Sequence, residues 1–131
     1  HIFIATAAVS DYRPLVAGDR KIKKSADRLQ LELVRNPDIL AEVAALPAGP
    51  FCVGFAAETH DLEAYARAKL TAKGLDMIAA NAVGNGLAFD CDQNTLHLFW
   101  PGGDEILPTA AKTELATVLM RRVAERFHAQ N

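Results

Sequence analysis

Arg20, Lys21, Lys23 and Lys24 put four cations into five residues of a segment that follows Pro14 and Gly18 and lacks sustained apolar periodicity. Cations packed that closely repel one another unless an anion joins them, so the stretch reads either as an anion-binding loop or as a solvated basic loop. Lys69 and Lys73 stand at i and i+4, which sends both ammonium groups from one side of a helix. They form a solvated face or a second cationic wall, and a triphosphate needs several such partners. Asn36-Pro37-Asp38 has the composition of a helix start, whose free N–H groups and dipole suit a phosphate or a polar base edge, although the same residues also make an ordinary cap. Phe55, between Gly54 and Ala56-Ala57-Glu58-Thr59, is a core ring or an aromatic face for a nucleobase, with small neighbours permitting close approach. Asp11 could accept a bond from a ribose hydroxyl or serve as common turn chemistry, and Asn81 is equally ambiguous.

Several other chemistries fail on spacing. His1, His60, His97 and His128 are scattered and make no metal-ligand pattern with Cys52 and Cys91, so no side chain is assigned to a metal. No G-x-G-x-x-G follows the first strand, no G-x-x-x-x-G-K-[ST] occurs, and Ser10 and Ser25 lack a G-x-S-x-G setting. These absences disfavour a conventional dehydrogenase, a P-loop ATPase and a serine hydrolase. With 131 residues, 50% apolar and 23% charged, the chain can build one core without disulfide or metal staples. A net charge of −2 and a pI near 6.1 argue against a general nucleic-acid binder, because the positive charge is local. No apolar run approaches the ~20 residues of a membrane span, the first residues lack a signal-peptide pattern, and two separated cysteines fit a reducing compartment. The reading is cytoplasmic, with neither nucleic acid nor membrane as partner. The start at His1, without Met, reads as a fragment of something longer.

The elements that must position these residues follow from periodicity. Ile2 to Ala8 reads as a strand buried on both faces and Leu29 to Arg35 as a half-buried one. A helix from Pro37 to about Leu46 has Asn36 as its cap and Pro37 at its first position. Phe51 to Ala57 is a central strand, Asp61 to Lys73 a helix with Leu62, Tyr65, Ala66 and Leu70 toward the sheet and Gly74 as its cap, and Leu75 to Ala80 another strand. After a loop-like stretch at 81–94, Thr95 to Trp100 and Glu105 to Leu107 flank a Pro101–Asp104 turn, a β-hairpin, and a helix runs from Ala110 to about Phe127. Alternating strands and helices imply an α/β fold: a Rossmann-like parallel sheet flanked by helices, with an antiparallel β-hairpin at one edge. In such a sheet Asp11, the Asn36-Pro37-Asp38 start, Phe55 to Thr59 and Asn81 all open on one rim. The apolar hairpin residues Leu96, Leu98, Phe99 and Trp100 either cover the domain's own core or pack on a second copy.

Five stretches, Ala7-Ala8-Val9-Ser10-Asp11-Tyr12-Arg13, Lys21-Ile22-Lys23-Lys24-Ser25, Leu33-Val34-Arg35-Asn36-Pro37-Asp38-Ile39, Gly54-Phe55-Ala56-Ala57-Glu58-Thr59 and Leu96-His97-Leu98-Phe99-Trp100, occur in an order that resembles bacterial phosphopantothenoylcysteine synthetase from about Ile2 to Phe127. The resemblance implies a ligase of coenzyme A biosynthesis that joins 4′-phosphopantothenate to L-cysteine with CTP, through an acyl-cytidylate, releasing pyrophosphate and CMP. It implies Mg²⁺ with the triphosphate and a homodimer. It places CTP contacts on Ala5, Thr6, Ala7, Asp11, Lys21, Pro37, Asp38, Ile39, Leu40, Phe55, Lys69 and Lys73, with Lys21 also catalytic. It makes residues 1–131 a single nucleotide-binding synthetase domain whose glycine-rich segment and catalytic asparagine lie upstream of His1. Many bacterial members are fused to a flavin-dependent phosphopantothenoylcysteine decarboxylase, so FMN is expected only in such a domain outside this chain. Two competing readings are a nucleotide-binding module without catalysis and an atypical Rossmann-type oxidoreductase.

Overall fold

The structure, a computed structural model, describes residues 1–18, 27–83 and 92–130. Its centre is β4 (Phe51–Glu58), a run rich in β-forming residues whose alternate side chains enter two different cores. Phe51 and Val53 face one way and Cys52 and Ala56 the other. This two-sided burial requires a layer of helix on each face of the sheet. Strand β1 (Ile2–Ile4) and strand β5 (Met77–Ala82) flank β4 in parallel, β6 (Gln93–Trp100) and β7 (Gly103–Ala111) continue antiparallel, and the order is β1-β4-β5-β6-β7. The sheet is therefore mixed, with its parallel part confined to β1, β4 and β5. Gly102, at φ +85°, supplies the turn of the β6–β7 hairpin.

On one face lies α3 (Lys112–Ala129), whose Leu115, Leu119 and Val123 pack on Phe51, Val53, Met77, Leu96, Leu98 and Leu107. Spacing of three and four residues puts those side chains on one stripe. The other face carries α1 (Ile39–Ala44) and α2 (Leu62–Lys73), with Ala66 and Leu70 set against Cys52, Ile78 and Phe99. Gly74 ends α2 at φ +63°, and Leu75 N–H closes on Leu70 O at 3.0 Å.

Three expectations change. The first strand stops at Ile4 and occupies a sheet edge, so Ile2 is exposed and Phe3 and Ile4 are half-buried rather than enclosed on both faces. The alternating Leu29–Arg35 stretch does not join the main sheet. Its end, β3 (Leu33–Arg35), pairs antiparallel with β2 (Tyr12–Pro14) in a separate two-stranded sheet, leaving Leu29, Leu31 and Leu33 exposed. Alternation reports a strand with one apolar face but does not say which sheet receives it. Tyr65 is also exposed rather than turned to the sheet.

Candidate functional site

The parallel strands end where the chain must turn away from the sheet. Ala5 N–H still reaches Val53 O at 2.9 Å, and the residues after it line a crevice of about 940 Å³. Open α/β sheets leave such a crevice beyond the carboxyl ends of their strands. Residues 5–11 border it together with residues 35–40, Phe55 and Ala57 of β4, and Lys69 and Lys73 of α2.

Asn36 fastens two of these segments. Its side-chain amide donates to Ser10 O at 2.7 Å, its amide oxygen accepts from Arg13 Nη1 at 2.9 Å, and its backbone N–H donates to Asp11 O at 2.8 Å. Those bonds explain why Asn36 is not the helix cap. Asp38 takes that position instead: its Oδ1 accepts from Ala41 N–H at 3.1 Å, and Pro37 lies just outside the helix. The other oxygen of Asp38 accepts from Lys73 Nζ at 2.9 Å. That hydrogen bond holds the Asp38 carboxyl below the usual carboxylate range, against the opposing effect of partial burial and with help from Ala41 N–H and the Arg35 charge. One turn earlier on α2, Lys69 Nζ donates to Glu58 Oε1 at 2.6 Å. Both lysines thus leave one helix toward the crevice, each engaged with a carboxylate.

Phe55 is 39% exposed although the preceding residues of β4 are buried, and it belongs to neither apolar cluster. A core role is excluded, and the ring stands at the crevice. Gly54 has another duty: a Cβ there would lie 2.8 Å from Leu75 Cδ1 and 3.0 Å from Leu40 Cδ2. Its smallness lets α1 and the segment between α2 and β5 close on β4.

The structure brings Ala5, Thr6, Ala7, Asp11, Pro37, Asp38, Ile39, Leu40, Phe55, Lys69 and Lys73 to this crevice. Lys21, with Lys23 and Lys24, lies outside the described residues. Asn81 pairs in register with Ala57 in the sheet and does not line the crevice. Two charged neighbours had no role of their own in the sequence reading, Arg35 on the lining and Glu58 behind Lys69. Glu58 stands in the strand-end motif, but its partner is eleven residues away on another element, beyond the reach of any local spacing rule. Among the described residues no group of three or more His, Cys, Asp or Glu side chains could hold a metal ion. Within the hairpin, Leu96, Leu98 and Phe99 are buried in the chain's own two cores. They cover this domain and give no argument for a second copy.

A mixed α/β sheet flanked by helices, with a crevice beyond its parallel strand ends, defines the class of the protein. The chain belongs to the family described as DNA/pantothenate metabolism flavoprotein C-terminal domain, whose model matches residues 1–127. It is 53% identical to the coenzyme A biosynthesis bifunctional protein CoaBC of Vibrio cholerae, over 96% of this chain and 33% of that protein. It is 46% identical to CoaBC of Escherichia coli K12, over 100% of this chain and 34% of the relative. The chain therefore spans about a third of the length of these curated relatives. A crystal structure of the C-terminal domain of a CoaBC protein superposes with a TM-score of 0.67 at 31% identity, covering 90% of this chain and 50% of the other. The DNA/pantothenate metabolism flavoprotein of Streptococcus pneumoniae shares the fold at a TM-score of 0.73 and 20% identity, covering 95% of this chain and 62% of the other. The resemblance drawn from the sequence motifs holds at the level of the family, over the same range of residues.

Proposed function

We propose that the chain is the nucleotide-binding portion of a ligase of coenzyme A biosynthesis that joins 4′-phosphopantothenate to L-cysteine with CTP. The observation that carries this reading is the convergence of Asp11, the Pro37–Leu40 segment, Phe55, Lys69 and Lys73 on one crevice in a chain related to CoaBC proteins. In the first step a carboxylate oxygen of phosphopantothenate attacks the α-phosphorus of CTP, the bond to pyrophosphate breaks, and an acyl-cytidylate forms. In the second the cysteine amine attacks the acyl carbon, loses a proton, and expels CMP.

The residues divide by chemistry. Lys69 and Lys73 address phosphate oxygens, because ammonium groups offer several donors and full charge. Phe55 offers a π face to the base, and Asp11 accepts from a ribose hydroxyl. Lys21 is assigned, on the family resemblance alone, to charge developing at the reacting phosphoryl and carboxylate oxygens. The Mg²⁺ of this reading travels with the triphosphate and lowers its net charge. A cytoplasmic enzyme, in a protein that also carries a decarboxylase, completes the proposal.

The dimer proposal moves to a different surface. Tyr12, Leu15, Val16, Leu29, Leu31 and Leu33, on and beside the β2–β3 pair, are exposed apolar groups, and a two-stranded unit is marginal without cover. A monomeric mass for the full-length protein at micromolar concentration would remove this proposal. The ligase reading is tested by incubating the full-length protein with CTP, 4′-phosphopantothenate and L-cysteine and following the amide product. CMP should form in step with it. Retention of CTP without product would favour the nucleotide-binding module.

A further inference from the structure

Arg35, Lys69 and Lys73 line this crevice with Asp11 and Asp38, and Glu58 stands behind Lys69. These carboxylates offset most of the positive charge presented to a polyanion. The two lysines best placed to bind one are each held by a carboxylate, Lys69 by Glu58 at 2.6 Å and Lys73 by Asp38 at 2.9 Å. The two pairs differ in shielding. The Glu58 side chain is 16% exposed and that of Asp38 47%, so Glu58 acts on Lys69 through less water.

We propose that Glu58 is a positioning residue for the nucleotide, a counter-ion that holds Lys69 at the crevice and surrenders it to the distal phosphates of a triphosphate. The inference rests on the nucleotide reading of the crevice and deepens it. Lys69 has a long flexible stem and a side chain that is 44% exposed, so it can leave Glu58 for another acceptor without moving α2. A partly solvated Lys–Glu pair is weak enough to be traded. The exchange leaves the Glu58 carboxylate beside the incoming anion. That repulsion grows with the charge brought beside it, so it bears most on the distal phosphates that Lys69 addresses and least on a monophosphate. Glu58 thereby aims Lys69 into the crevice at a cost in triphosphate affinity.

The competing interpretation is that Glu58 only fastens α2 to the end of β4. Glu58→Gln separates the two, since glutamine keeps the shape and one acceptor while removing the charge. Affinities of the full-length protein for CTP, CMP and orthophosphate would be measured by calorimetry in chelator-containing buffer, with the melting temperature of each variant. Removing one unit charge about 4 Å from a ligand charge should tighten binding roughly fivefold even at the dielectric of water. The gain should be largest for CTP, whose distal phosphates stand at Lys69 in this reading, and smaller for CMP, widening the CTP to CMP ratio relative to wild type. Asp38→Asn provides a second reading: asparagine still caps α1, and the same widening should appear in smaller measure because Asp38 is more solvated. Equal weakening of all three ligands with a lowered melting temperature in Glu58→Gln would overturn the proposal in favour of a fastening role. An unchanged CTP to CMP ratio in both variants would overturn it as well. If wild type binds none of the three ligands, the nucleotide reading falls, and this inference with it.

Discussion

Lys69 and Lys73 carry the most specific residue-scale expectation. Each ends at the crevice while bonded to a carboxylate, so its removal deletes a partner for phosphate oxygens and leaves Glu58 or Asp38 without its cation. Lys69→Ala and Lys73→Ala should each weaken CTP binding by about 1–3 kcal/mol, the scale of a charge-assisted hydrogen bond. CMP should lose less, which a pair of calorimetric titrations for each variant reads directly; equal losses for both ligands would move these lysines off the distal phosphates. Gly54 makes a complementary case about packing. A methyl added there meets Leu75 and Leu40 at 3.0 Å or less, so Gly54→Ala should destabilise by about 1–3 kcal/mol. Because Leu40 lines the crevice, nucleotide affinity should fall with it; denaturant midpoints and a CTP titration on the same sample check both halves.

At the scale of elements, long periodic segments were legible and short ones were not. Helices α2 and α3, strand β4 and the β6–β7 hairpin lie close to where periodicity and turn residues put them, because each buries a face against the sheet or a helix and so leaves a pattern in the sequence. The pairing of β2 with β3 had no such trace: three-residue strands with exposed leucines satisfy alternation without specifying a partner. The cap of α1 was displaced by two residues because Asn36 spends its amide on Ser10 and Arg13, bonds across more than twenty residues of sequence. The Glu58–Lys69 pair left no trace either, because its partners stand on different elements.

The hairpin and α2 are joined by a cluster with a testable pH dependence. Asp104 of β7 accepts from Arg67 of α2 at 2.8 Å and lies 2.8 Å from His97 of β6, while Arg67 also pairs with Glu63 and its guanidinium stands over Phe99 at 4.8 Å. The hydrogen bond with His97, then that from Arg67, holds the Asp104 carboxyl below its ordinary value of 3.8. A depressed folded-state value means stability that is present above the unfolded value and lost as pH falls through the folded one. Asp104→Asn should therefore melt below wild type at neutral pH, and the gap should close on acidification below about pH 4. Melting temperatures of both proteins between neutral pH and pH 3 test it, and a gap independent of pH would assign the effect to packing instead.

For the whole molecule, the account is that one sheet, by ending three parallel strands near one rim, places binding groups from distant parts of the chain around one crevice. Asp11, Asp38, Phe55 and Lys73 are far apart in sequence, and all line it. The convergence could be anticipated because the carboxyl ends of parallel strands share an edge; the ion pairs that occupy the lysines could not, since they depend on side chains meeting across elements. The central claim is activation of a carboxylate by CTP, and its most direct measurement omits cysteine. Pyrophosphate release by the full-length protein is followed with CTP alone, with 4′-phosphopantothenate alone, and with both. The account predicts release only with both present, with the acyl-cytidylate detectable by mass. Release from CTP alone, or none with both substrates present, would contradict it.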